Sequence, residues 1–183
     1  MKTLKQILSE MPVYIDYTDE EKETSKLHKS PIKTSSKDKK VSDVRDTHDL
    51  MKKGDNEYYL RTKKRTSSNP GVHMYVNLEN SRHDPSFKKV QELKGHPDSP
   101  IKAHEFYQHL LKNGVKIESD DIQTKGGMMV WKKLADDPNI HVTHHNASTG
   151  KEVPLDRENW MNNYQKAGGK GGPITYFRAT LRK

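Results

Sequence analysis

The 183-residue sequence predicts an α/β protein, a mixed sheet with flanking helices, preceded by a disordered basic N-terminal extension. Three observations point there. Residues 18 to about 45 are rich in Lys, Glu, Asp, Ser and Thr and nearly free of large apolar groups, a composition that builds little core. From Glu57 onward, stretches of alternating apolar residues take turns with stretches of helical period. Glycine and proline mark the joints between them.

The elements follow in order. Residues 1–10 form one short amphipathic leader helix, with Thr3 and Gln6 at capping-box spacing and Leu4, Ile7 and Leu8 on one face. Residues 11–56 read as a flexible charged linker, within which Asp46 to Lys53 can add a short helix ended by Gly54. A domain then spans 57–183. Glu57–Arg65 and Val72–Glu79 make two strands around the turn 67–71, the second placing Val72, Met74, Val76 and Leu78 on one face. Phe87, Val90 and Leu93 recur at helical spacing before Gly95.

Ser99 and Pro100 are an N-cap and first-turn pair for a helix running to Asn113, stopped by Gly114. Ala103, Phe106, Tyr107, Leu110 and Leu111 give it a buried stripe. Val115–Ser119 follows as a strand, and Thr124–Ala135 as a helix with Met128, Trp131, Leu134 and Ala135 inward. Ile140–His145 is the next strand, Asp156 caps a last helix carrying Trp160, Met161 and Tyr164, and Ile174–Leu181 closes the sheet. The predicted order is β-β-α-α-β-α-β-α-β.

Bulk numbers narrow the function classes. Lys and Arg total 33 against 25 Asp and Glu, a net charge of +8 at pH 7. Such a surplus favours DNA or an acidic protein surface as partner, although solubility alone also accounts for it. Only Arg61, Lys63, Lys64 and Arg65 form a dense basic run, the candidate nucleic-acid contact, and it lacks interleaved aromatics for base stacking. No stretch approaches the roughly 18 apolar residues that cross a bilayer, so no membrane partner is expected. Cysteine is absent, which fits a reducing compartment.

Chemistry concentrates at the run from Ile117 to Leu134. A strand, a polar turn, the pair Gly126-Gly127 and a helix succeed one another there, leaving backbone N–H groups free for an anion or an acyl carbonyl. Ser119 is the candidate nucleophile and Asp120 the candidate base, while Asp121 or Thr124 as an N-cap explains the same polar run structurally. His141, His144 and His145 cluster. Along a strand, however, His144 points away from the other two, and no cysteine or neighbouring carboxylate completes a tetrahedral set, so no metal site is assigned. The loop 168–172, Gly-Gly-Lys-Gly-Gly, lacks the Gly-Lys-Ser/Thr ending of a P-loop and precedes a strand.

Gly127-Met128-Met129-Val130-Trp131-Lys132-Lys133-Leu134, after the strand Val115–Ser119, resembles the second helix of the N-acyltransferase (GNAT) fold, in a reduced form met in tailed-phage proteins. Gln123 falls near that family's usual Asn. The resemblance covers about 57–183 and implies acetyl-CoA as cofactor, with Gln123, Gly126, Gly127 and Trp131 at its site. Two departures stand out. The family's Tyr, which protonates the departing thiolate, is Trp131 here, and an indole cannot act as that acid. Where a glycine-rich pyrophosphate loop belongs, the chain has Gly95-His96-Pro97-Asp98-Ser99-Pro100.

The opening MKTLKQILSE looks like the capsid-targeting peptide of internal head proteins in T-even-like phages, with Leu8 and Glu10 in the cleavage motif. An ordinary amphipathic helix accounts for the same residues. Together these resemblances imply a phage protein, inside the virion or in the host cytoplasm, partnered by the phage capsid or a host protein. They imply a degenerate acyltransferase-like domain that binds a partner or nucleic acid without catalysis and needs no cofactor. The alternative is an active N-acetyltransferase using acetyl-CoA on a protein or small-molecule amine.

Overall fold

A computed structural model describes residues 32–64, 71–120, 125–155 and 175–182. They build one nine-stranded sheet and two helices. The strands are β1 (Lys39–Val44), β2 (His48–Lys53), β3 (Glu57–Thr62), β4 (Val72–Asn80), β5 (Phe87–Gly95), β6 (Lys116–Glu118), β7 (Ile140–Asn146), β8 (Glu152–Pro154) and β9 (Thr175–Leu181). The helices are α1 (Ala103–Lys112) and α2 (Lys125–Ala135).

The spatial order is β1-β2-β3-β4-β5-β6-β9-β7-β8. The first five strands form an antiparallel meander, β6 joins β5 in parallel, and β9 slots antiparallel between β6 and β7. α1 bridges the parallel pair, because strands running the same way need a long crossover.

Cross-strand register decides which side chains meet the helices. Ile117 lies opposite Ala179, and Ala179 opposite Val142, so the three form one row. Phe106, Tyr107, Leu110 and Leu111 of α1 and Met128, Trp131 and Leu134 of α2 bury that row together with Ile140 and Phe177. Trp131 stacks on Phe177 with ring centroids 5.7 Å apart, and Tyr107 packs at 5.9 Å. A second, smaller cluster of Met51, Tyr59 and Val72 forms apart from this core.

This architecture corrects the expectation of a GNAT-like mixed sheet with flanking helices. Strands hold 46% of the described residues and helices 17%, in a nine-stranded mixed sheet that lacks that family's arrangement of helices flanking a sheet. Two segments account for much of the difference. The segment 46–53, expected as a helix, is largely β2, and Gly54 at φ 59 turns the hairpin to β3 instead of ending a helix. The sheet therefore begins at Lys39, so two strands lie in the stretch read as linker.

The segment 87–95 is β5 and not a helix. Leu78 pairs with Val90 while Asn77 pairs with Glu92, which leaves Gln91 as an extra residue in a β-bulge. That insertion turns Val90 and Leu93, three apart, toward the same core. A spacing of three imitated a helix.

Other boundaries moved less. α1 begins after Lys102, whose N–H donates to the Glu105 carboxylate at 2.8 Å, so Ser99 and Pro100 stand outside it. Gly114 at φ 84 follows its end. Residues 1–10 with Leu8 and Glu10, the cap Asp156 with Trp160, Met161 and Tyr164, and the loop 168–172 lie outside the described residues.

Candidate functional site

At the strand-to-helix junction after β6, Ser119 and Asp120 have their polar groups in use. Ser119 is buried; its N–H donates to the Phe177 carbonyl at 2.8 Å, and its hydroxyl accepts the Phe177 N–H at 3.0 Å while donating to the Asp120 carbonyl at 3.1 Å. It extends the β6–β9 pairing by one residue. Asp120 is held by Lys89 Nζ at 3.3 Å, and Trp131 is a core side chain. Gly126 and Gly127 sit half-buried in the first turn of α2, and Gln123 lies outside the described residues.

One gap remains beside this junction. β5 and β6 pair only through Phe87–Lys116, Lys88–Ile117 and Lys89–Glu118. Among the described residues no strand continues along that edge of β5 toward Gly95, so its backbone groups there lack a ladder partner.

The face of the sheet turned away from the helices carries a polar row. Lys89 of β5 stands opposite Glu118, Glu118 opposite Arg178, Arg178 opposite Thr143, and Thr143 opposite Pro154. Alternation fixes this row: Ile117, Ala179 and Val142 face the helices, so their neighbours in sequence face the other way. Arg178 Nε donates to Glu118 Oε2 at 2.8 Å, and the Ser81 hydroxyl donates to Glu118 Oε1 at 2.8 Å. Both carboxylate oxygens are thereby satisfied in a site shut off from water, which is what a buried charge requires.

The guanidinium lies 4.6 Å from the Phe87 ring centroid. Its Nη1 stands 3.9 Å from Glu152 Oε2, too long for a hydrogen bond, and its buried Nη2 has no hydrogen-bond partner among the described residues. Glu152 also accepts from the Thr143 hydroxyl. Above this group opens a cleft of about 370 Å³ lined by His141, Thr143, Glu152, Pro154, Arg178 and Thr180.

Next to it lie His145, Tyr176 and His83. His83 Nε2 is 3.4 Å from the Tyr176 hydroxyl, and burial together with the Arg178 charge holds the His145 imidazole below its usual value. His144 points the opposite way, stacked on Phe177 at 5.2 Å, and burial lowers its pKa to about 4. Among the described residues no group of three or more His, Asp or Glu side chains could hold a metal ion.

The basic run is partly neutralised by its own protein. Arg61 reaches Asp49 at 3.4 Å, and Lys63 reaches Asp43 at 2.6 Å. Hydrogen bonds from Lys40 and Lys63 bring the Asp43 carboxyl down to about 2. Lys64 is exposed with no carboxylate partner among the described residues, and Arg65 lies outside them. No helix among the described residues is long and apolar enough to cross a membrane.

Sequence reasoning missed Glu118, Arg178, Ser81 and Glu152. A signal existed for Arg178, the single charge in the stretch Ile174–Leu181, whereas Glu118 shares Val115–Ser119 with Lys116. Their partnership spans sixty residues and depends on the β6–β9 register, which no local pattern encodes. No protein-family model matches the chain, and no curated protein matches it either.

Proposed function

We propose that the chain is a binding protein and not a catalyst: a basic phage protein, virion-associated or host-directed, that engages a polyanionic partner, nucleic acid in the first instance. The observation that carries this reading is the commitment of Ser119. Its hydroxyl both accepts and donates within the β6–β9 junction, which leaves no hydroxyl to attack a substrate. Trp131, where an acid would be needed, is core.

What the chain offers instead is charge. Its surplus is +8, and Lys33, Lys37, Lys39 and Lys64 are exposed without an ion-pair partner among the described residues. Polyanion binding of this kind releases counterions and weakens steeply with salt. The test is a titration of the full chain onto duplex and single-stranded DNA between about 50 and 200 mM salt, where several phosphate contacts lose orders of magnitude in affinity. Absence of binding at low salt, or affinity indifferent to salt, overturns the reading.

The parting of β5 and β6 favours a second reading. An extended ligand carrying its own amides, acetyl-CoA in the case the sequence raises, would pair with the open edge of β5 as an added strand does. Millimolar acetyl-CoA would then raise the melting temperature. An unchanged melting temperature removes this reading.

A further inference from the structure

We infer that the cleft over Arg178 binds a singly charged carboxylate, and that Glu152 fills that place when no ligand is bound. The argument starts from the hydrogen-bonding capacity of the guanidinium. Arg178 presents five N–H groups, of which Nε–H is taken by Glu118. The remaining edge, Nη1 and Nη2, is the fork that matches a planar carboxylate with two parallel bonds. Here that edge is underused: among the described residues Nη1 meets only Glu152, at 3.9 Å, and the buried Nη2 meets no acceptor. Buried donors seldom stay unmatched without a reason.

The arginine is also preorganised. Glu118 fixes Nε from one side, Phe87 lies against the guanidinium, and Ser81 holds Glu118 in turn. Ordering costs that a ligand would otherwise meet are therefore small on the protein side. Glu152 is held differently. It stands on β8, a three-residue strand at the sheet edge, its side chain is 40% exposed, and it accepts from the Thr143 hydroxyl. A carboxylate tethered on an edge strand and loosely aimed at a fixed guanidinium has the chemistry of an internal stand-in for a ligand.

Charge selects the ligand class. Glu118 and Arg178 cancel, so the site with Glu152 carries one net negative charge. A monocarboxylate that displaces Glu152 into solvent preserves that balance, whereas a phosphate dianion adds a second charge beside Glu118. Thr143, Thr180 and His141 line the cleft with further polar groups for the rest of a small ligand. The cleft lies on the face turned away from the helices, and the inference stands independently of polyanion binding.

The probes are sodium acetate, phosphate and chloride at matched ionic strength, on the full chain and on Glu152→Gln, followed by NMR shift changes and melting temperature. Glutamine retains an acceptor for Thr143 and removes the competing charge. Acetate should bind saturably at the β7–β9 cleft, about tenfold more tightly to Glu152→Gln, and phosphate more weakly than acetate. Thr180→Val, which leaves the ion pair intact, should weaken acetate without lowering the melting temperature of the free protein. Equal response to all three salts in both proteins, or phosphate binding as tightly as acetate, overturns the inference.

Discussion

Glu118 and Arg178 face each other across the β6–β9 pairing, and a single bond of 2.8 Å joins two side chains that are 0% and 5% exposed. Each is the other's nearest opposite charge inside the fold, with Ser81 supporting Glu118 and Phe87 lying against Arg178. Removing one member strands the other. Glu118→Leu alone should cost about 3–5 kcal/mol, while Glu118→Leu combined with Arg178→Met should cost much less than the two single changes together. Urea denaturation of the four proteins checks this, and a double variant as unstable as the sum would refute it.

Acid should weaken the fold through His144. Its folded pKa of about 4 lies below the unfolded value of 6.5, so the unfolded chain binds the proton first. The stability it permits is complete above pH 6.5 and declines as pH falls toward 4, by about 3 kcal/mol across that window. His144→Phe keeps the stacking on Phe177 and should flatten the stability profile there. An unaltered slope between pH 6.5 and 4 would count against this account.

Trp131 and Met129 sit two residues apart on α2 with opposite fates. Trp131 is buried between Tyr107 and Phe177, so Trp131→Ala should cost about 3–5 kcal/mol. Met129 is 39% exposed, and Met129→Ala should change stability by less than about 0.5 kcal/mol. Thermal melts of both variants separate a packing role for the indole from a role at the surface.

Ser119→Ala tests whether the serine is structural. It removes the acceptor for the Phe177 N–H at a buried position and should cost about 1–3 kcal/mol. Retention of full stability would reopen the hydroxyl to chemistry.

Gln91 should be dispensable to the register. Deleting it sets Val90 and Leu93 two apart, still opposite Leu78 and Val76, so both keep their place in the core. Gln91→Ala, at an exposed site, should be nearly neutral. Soluble, folded protein in both variants is the expected pattern, and loss of folding in the deletion would count against this register.

These residues also show how far the sequence could be read. The strands read at 72–79, 115–119, 140–145 and 174–181 were legible because alternate apolar residues of each, Val76 and Leu78, Ile117, Ile140 and Val142, and Phe177 and Ala179, enter the core, and α1 and α2 because each shows an apolar stripe of helical period. β1 and β2 escaped notice because β1 is an exposed edge with only Val44 fully buried, and β2 buries Leu50 and Met51 in succession, in two different clusters. β5 escaped because its bulge converts a period of two into a spacing of three. At the junction after β6, the Ser119 hydroxyl is an internal fastener between β6 and β9. The cleft was illegible because Glu118, Thr143, Glu152 and Arg178 converge only through tertiary register.

The insertion of β9 between β6 and β7 sets an order on assembly. The meander β1 to β5 can zip up from neighbouring segments as they appear. β6 and β7 each find one neighbour, β5 and β8, but the edges they turn toward each other wait for a strand that follows both in the chain. Until Thr175–Leu181 docks, the nascent protein presents two raw backbone edges and half of the Glu118–Arg178 couple, so this half of the molecule should be the slow step of folding and the first place where an arrested chain sticks to its neighbours.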